Sequence, residues 1–268
     1  MGAYVLGHTA HELKRLQTQA LLIDPITRRF FAAAGLEPGM NVLDVGSGAG
    51  DVTFLVASMV GPSGSVLGVD RSSTAVGLAN DRLRSGPHAN VSFRIHDPFS
   101  APLNETFDAV VGRFVLQFQS DPVAALAAVA ACARSGGLVA FHEIDWGGIE
   151  SYPPVMVYDR VCGWARAALV ATQTETRMGI KLFGTFLDAG LHAPHVARNQ
   201  LLGAGQDAVP VASLIVDLAN TLRSVIIDRG IASASELDEA LAALTLEASG
   251  GSTVLVAHGQ VCVWATSR

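Results

Sequence analysis

Val42-Leu43-Asp44-Val45-Gly46-Ser47-Gly48-Ala49-Gly50 is the stretch on which the reading of the fold turns. Residues 41–45 form a short apolar run with β-branched members, an acid and a glycine-rich loop follow, and residues 52–60 then carry helical spacing. Such a strand, turning tightly into a helix, suits the opening of an α/β sheet. Its glycines let a ligand approach the backbone, and the helix start presents N–H groups without intrahelical partners.

The rhythm continues outward from this point. Strands are expected at residues 65–69, 91–96, 107–111 and 138–144, with helices at 73–84 and after the Asp121-Pro122 cap. Strands separated by helix-length crossovers predict a doubly wound, mainly parallel sheet with helices on both faces. Upstream, Thr9 and Glu12 form a capping box for one helix, and Asp24-Pro25 reads as N-cap and N1 of a second that Gly35 closes. Downstream, residues 153–172, 182–189 and 209–229 read as helices, Ser233 and Glu236 open another, and residues 195–201 and 253–264 read as strands.

Composition narrows the function classes. Half of the 268 residues are apolar, 16% are charged and the net charge is −6, the profile of a globular chain. With 18 basic against 24 acidic residues and no basic stripe, nucleic acid is not expected as a partner. The longest apolar stretch, residues 122–133, is shorter than the roughly 20 residues that cross a bilayer, so no membrane span is expected. The N-terminus carries neither a signal-peptide pattern nor, with Leu6 after Gly2, a myristoylation pattern. Cys132, Cys162 and Cys262 are far apart in apolar contexts, as reduced core thiols would be, so no metal site and a cytoplasmic location are expected.

In open α/β sheets ligands sit beyond the carboxyl ends of the strands, where this sequence places acids. A carboxylate at Asp44 would oppose a dinucleotide pyrophosphate but suit a ligand bearing an ammonium and a sulfonium. The position after Gly50 is Asp51, where a dinucleotide pattern wants glycine. About twenty residues on, Asp70 ends the second strand where a carboxylate would accept ribose hydroxyls, and Asp97, in His96-Asp97-Pro98, would accept from an adenine amino group. Singly, each acid also has a plain structural use as a cap, a turn or a buried hydrogen-bonding group.

On these residues the chain resembles the class I S-adenosylmethionine-dependent methyltransferases, especially their small-molecule and quinone methylase branches. The resemblance covers residues 41–145 and includes Phe107-Asp108-Ala109-Val110-Val111-Gly112-Arg113 and Arg134-Ser135-Gly136-Gly137-Leu138. It implies a seven-stranded sheet with the last strand antiparallel, and S-adenosylmethionine as cofactor. The glycines 46, 48 and 50 would hold the amino-acid portion, Asp70 the ribose and Asp97 the adenine, with Tyr4, Asp44, Ser47, Arg71, His96, Pro98, Gly112 and Arg113 completing the cofactor site. It further implies a single methyltransferase domain over residues 1–268. In it, residues 1–35 are an N-terminal helical lid, 36–145 the cofactor core, and 146–176 and 203–250 helical insertions that act as a substrate lid or a homodimer contact.

Methyl transfer from a sulfonium is an in-line displacement, so positioning and desolvation supply most of the catalysis and no nucleophilic triad is required. A base is needed only if the acceptor must lose a proton. The candidates for contact with the acceptor are His8, Arg113, His142 and Glu143, with Gln117 and Asp145 nearby. Gly112-Arg113-Phe114-Val115 is not the Asn-Pro-Pro-Tyr type of motif found where exocyclic amines are methylated. The expected acceptor is a small apolar or aromatic metabolite of specialised metabolism, with a quinone-biosynthesis C-methylase as the alternative. A nicotinamide-dependent oxidoreductase, which has no particular use for Asp44 and Asp97, and a non-catalytic cofactor-binding subunit are more remote readings.

Overall fold

The computed structural model describes residues 10–101 and 103–267. The chain divides into two compact units. A strand unit comprises Ile23–Glu143, Gly179–Ala197 and the described part of Val261–Arg268; a helical unit comprises the described part of Met1–Leu22, Ile144–Met178 and Arg198–Gln260.

The strand unit is built on β1 (Asn41–Val45), β2 (Ser65–Asp70), β3 (Val91–Ile95), β4 (Phe107–Arg113) and β5 (Ala133–Asp145). All neighbouring pairs among them are parallel, with Asp44 opposite Gly68 on one side and Val111 on the other. With β6 (Glu150–Tyr152), β7 (His195–Ala204) and β8 (Val254–Thr266), the sheet order is β3-β2-β1-β4-β5-β8-β6, and β7 pairs β8. Order runs outward in both directions from β1 and β4, so the switch point, where ligands of such sheets sit, lies between them. The crossovers are α2 (Asp51–Val60), α3 (Ser73–Arg84) and α4 (Pro122–Ala130). Asp121 caps α4 through the N–H of Ala124, with Pro122 in the first turn, where its missing N–H costs nothing.

Three expectations are corrected. First, Asp24-Pro25 does not start a second helix: α1 runs unbroken from Ala10–Ala34 with Pro25 inside. A proline in a helix forfeits one hydrogen bond and crowds the preceding turn, at about 3 kcal/mol. Burial of Ile23, Ile26, Phe30 and Phe31 offsets that cost. Second, the sheet has eight strands rather than seven. The addition is the three-residue β6, antiparallel to β8 with Glu150 opposite Val256 and too short to show a period of two. Third, the helix expected over residues 209–229 is broken at Leu222 into α7 (Ala208–Thr221) and α8 (Arg223–Asp228).

The helical unit packs α7 against α9 (Ala234–Ser249) and α5 (Met156–Ala171) against α7, α8 and α9. Its core includes Tyr158, Val161, Ala165, Ile215, Leu222, Ile226, Leu237 and Leu244. The Tyr158 hydroxyl donates to the Val256 carbonyl at 2.9 Å, tying α5 to β8. The capping box expected at Ser233 is formed, with the Glu236 amide donating to the Ser233 hydroxyl and the Glu236 carboxylate accepting from the Ser233 backbone. No described helix is long and apolar enough to cross a membrane.

Candidate functional site

The loop between β1 and α2 is shaped by its glycines. Gly46, Gly48 and Gly50 have φ of +68°, +53° and +93°, the left-handed region that other residues adopt only under strain. A Cβ on Gly46 would strike Val115 at 2.8 Å and one on Gly50 would strike Phe93 at 2.7 Å, whereas one on Gly48 would meet nothing within 4 Å. Gly48 is therefore the point where the loop opens to a ligand. Gly50 precedes α2 without a side-chain cap, and the buried Ser47 hydroxyl has no hydrogen-bond partner among the described residues. A buried polar group without a partner is rare enough to point to an absent one.

Two acids frame this loop. Asp70, half-buried at the end of β2, accepts the Gly48 N–H at 3.0 Å on one oxygen and the Ser72 N–H at 2.8 Å on the other. It thus links the glycine loop to the start of α3. Asp44 is 1% exposed and accepts from the Thr53 hydroxyl at 2.6 Å. Burial pushes its carboxyl up to about 7, against the opposing effects of Thr53 and the Arg113 charge. Arg82 completes the frame by donating to the Ala49 carbonyl at 2.6 Å and pairing with Asp51 at 2.7 Å. Neither Thr53 nor Arg82 was singled out in the sequence, since no local spacing joins them to the loop.

At the end of β3 the Asp97 carboxylate accepts from the Phe99 N–H at 3.1 Å, and His96 Nε2 meets the Ala101 carbonyl at 2.8 Å. Asp97 and His96 are partly exposed, Pro98 is buried and Arg71 is exposed. Gly112 has a packing reason: a Cβ there would lie 2.5 Å from the Phe141 ring.

The residues proposed around the acceptor form a buried network. Arg113 is paired with Asp24 at 2.7 Å and donates to the Thr27 hydroxyl at 3.0 Å. That hydroxyl also meets His142 Nδ1 at 3.1 Å, and the fully buried His142 ring sits edge-on between Phe30 and Phe114. Glu143 accepts the N–H groups of Val115 and Leu116, each at 2.8 Å, on Oε1, while buried Oε2 has no partner among the described residues. Burial raises its carboxyl to about 7, in opposition to those N–H groups. Through this grip Glu143 holds Val115, whose side chain lies against Gly46, while Phe114, at φ +58°, donates its N–H to the His142 carbonyl at 2.9 Å. The Val115 side chain is therefore packed directly under the glycine loop. Asp145 pairs instead with Arg177 in the helical unit, and Tyr4 and His8 lie outside the described residues.

A strand-end carboxylate, a glycine loop at the switch point and an acid bridging loop and second strand are the features a nucleoside-type cofactor site on an α/β sheet would require. The sequence profile of the Methyltransferase domain matches residues 36–183, and the chain belongs to that family. It is 32% identical over 114 residues to an arsenite methyltransferase of Halobacterium salinarum, covering 42% of this chain and 29% of that protein. It is 33% identical over 126 residues to the ubiquinone/menaquinone biosynthesis C-methyltransferase UbiE of Cellvibrio japonicus, covering 46% and 51%. Among solved structures, the YcgJ protein of Bacillus subtilis superposes with a TM-score of 0.60 at 17% identity, over 91% of this chain and 97% of that one, a likeness of fold. The chain spans 29% to 54% of the length of the first curated relatives it matches.

Proposed function

We propose that this chain is an S-adenosylmethionine-dependent methyltransferase acting on a small apolar or aromatic metabolite. The observation that carries this reading is the glycine loop itself: open space at Gly48, an unpartnered Ser47 hydroxyl and the carboxylates of Asp44 and Asp70 on either side. That donor set suits a ligand with an ammonium, a carboxylate and a ribose, and suits a pyrophosphate poorly. When bound, the cofactor supplies an activated methyl group on a sulfonium. The chain's own contribution is to hold that group and its acceptor in line and to exclude water. Asp44, Gly46, Ser47, Gly48, Gly50 and Asp70 would hold the amino-acid and ribose portions, and Asp97 the adenine. Arg113, His142 and Glu143 act through the network described above, as positioning residues.

The arsenite reading of one relative gains no support from the thiols. Cys132, Cys162 and Cys262 are buried, and burial raises the pKa of each, Cys162 to about 12. A soft, thiophilic acceptor needs thiolates, which such cysteines do not offer. Quinone C-methylation remains the second reading, favoured by the UbiE likeness, and an acceptor assay separates it from other aromatic methylation. The segments 146–176 and 203–250 are proposed to select the acceptor. A gain of hydrogen-exchange protection there on cofactor binding would support that role.

Calorimetry with S-adenosylhomocysteine tests the central claim. Wild-type protein should bind it and not NAD. Asp70→Ala should weaken binding by about ten- to a hundredfold, the loss of hydrogen bonds to a charged group. Tight NAD binding without S-adenosylhomocysteine binding would refute the assignment.

A further inference from the structure

Trp146, the first residue after β5, is buried at 3% exposure, and its Nε1–H has no hydrogen-bond partner among the described residues. Natural cores keep few such donors, because an unpaired buried N–H is costly. The backbone that carries the indole is tied down on both sides. Its backbone N–H donates to the Thr176 carbonyl at 3.0 Å, the next residue, Gly147, lies under the Arg177 guanidinium, and Arg177 is paired with Asp145.

The pairing of β6 with β8 explains what lies beside it. With Glu150 opposite Val256, the chain just upstream of Glu150 meets the chain just beyond Val256. The Trp146 and His258 rings accordingly lie 5.6 Å apart, centroid to centroid, at 50°. His258 is 5% exposed, and its Nδ1 accepts from Gln260 Nε2 at 2.7 Å, which puts the ring proton on Nε2. Burial drives its pKa down to about 4, so at neutral pH the ring is an uncharged donor of fixed tautomer. Trp146, Arg177, His258 and Gln260 all belong to the helical unit.

We propose that the Trp146 indole and the His258 imidazole form a two-donor subsite that binds a phenolic or enolic oxygen of a small aromatic ligand. The ring edges carry N–H groups, Nε1–H on Trp146 and Nε2–H on His258, and aromatic rings of this kind are surfaces against which an aromatic ligand would pack. An acceptor oxygen gives the Trp146 donor its missing partner, and two N–H donors favour that oxygen as an anion. That the ligand is the methyl acceptor rests on the function proposed above. The subsite itself rests on the geometry of these two residues.

The test uses 4-nitrophenol, whose phenolate is coloured, titrated into the full chain with and without S-adenosylhomocysteine. Wild-type protein should bind it with its ionisation favoured. Trp146→Phe keeps an aromatic ring but loses the pyrrole half of the indole with its N–H, so its affinity for the probe should fall by about ten- to a hundredfold. His258→Phe should lose probe affinity to a similar extent, and His258→Gln, which keeps a donor, should recover part of it. The affinity for S-adenosylhomocysteine should be unchanged in each variant. Absence of probe binding in the wild type or unaltered binding in Trp146→Phe would each overturn the subsite. Failure of the wild type to bind S-adenosylhomocysteine counts against the methyltransferase reading alone, because the probe result still decides the subsite.

Discussion

Two corners of this protein bury ionisable groups, and they do so with opposite outcomes. Around the glycine loop, burial raises Asp44 and Glu143 to about 7, so both carboxyls stand at the edge of ionisation at neutral pH. Beside Trp146, burial lowers His258 to about 4, well clear of neutrality. Desolvation favours the neutral form in both places. The difference lies in where that leaves the group: a carboxyl near 7 can lose its proton when a cation arrives, whereas an imidazole near 4 stays a fixed donor. The first corner is therefore suited to a ligand that carries positive charge, and the second to one that offers an oxygen.

The largest expected effect is on the buried ion pair below the first corner. Asp24→Ala leaves the Arg113 guanidinium, whose side chain is 5% exposed, without its partner. Urea unfolding should register a loss of about 3 to 5 kcal/mol. A loss below about 1 kcal/mol would mean that the network does not hold charge in a dry environment, and the contrast between the corners would weaken.

The pH dependence of stability sharpens the contrast. Asp44 is raised from 3.8 to about 7, so between those values the folded state binds more protons than the unfolded one and stability falls as pH rises. Asp44→Asn keeps an acceptor for Thr53 and removes this titration. It should match wild type only near and below pH 3.8 and be more stable at pH ~8, by about 2 to 4 kcal/mol. It should at the same time bind S-adenosylhomocysteine more weakly. His258 has the opposite sign: lowered from 6.5 to about 4, it makes stability rise with pH across that interval. His258→Phe should flatten that rise. Equal pH slopes in wild type and both variants would remove the contrast.

Gly50→Ala tests the loop. With φ at +93° and the Phe93 ring 2.7 Å from the new Cβ, strain and overpacking should cost about 2 to 3 kcal/mol in thermal or chemical unfolding. The smallest effect belongs to the helical unit. Ser233→Ala removes the cap of α9 and should cost about 1 kcal/mol in unfolding with no change in ligand affinity. A change in affinity there would give α9 a part in binding.

The bounds of β1 and α3, the Asp121 and Ser233 caps and the glycine loop were legible because each depends on residues close together in the chain. Spacing, turn chemistry and capping act over a few residues, and they are enough to place Asp44, Asp70 and Asp97 at successive strand ends. Pro25 misled for the same reason: its local preference for a helix start was overridden by the burial of Ile23, Ile26 and Phe30 around it. The partner of Arg113 is 89 residues away, the N–H groups gripped by Glu143 are 28 and 27 away, and the hydroxyl on Asp44 comes from the following helix. Trp146 meets His258 because β5, which it follows, neighbours β8 in the sheet. By itself, then, the sequence determined the order of strands and helices and the acids at the strand ends. The tertiary structure alone decided which buried donors and charges are paired and which are left open, because those partners meet through packing and sheet pairing, which leave no periodicity in the chain.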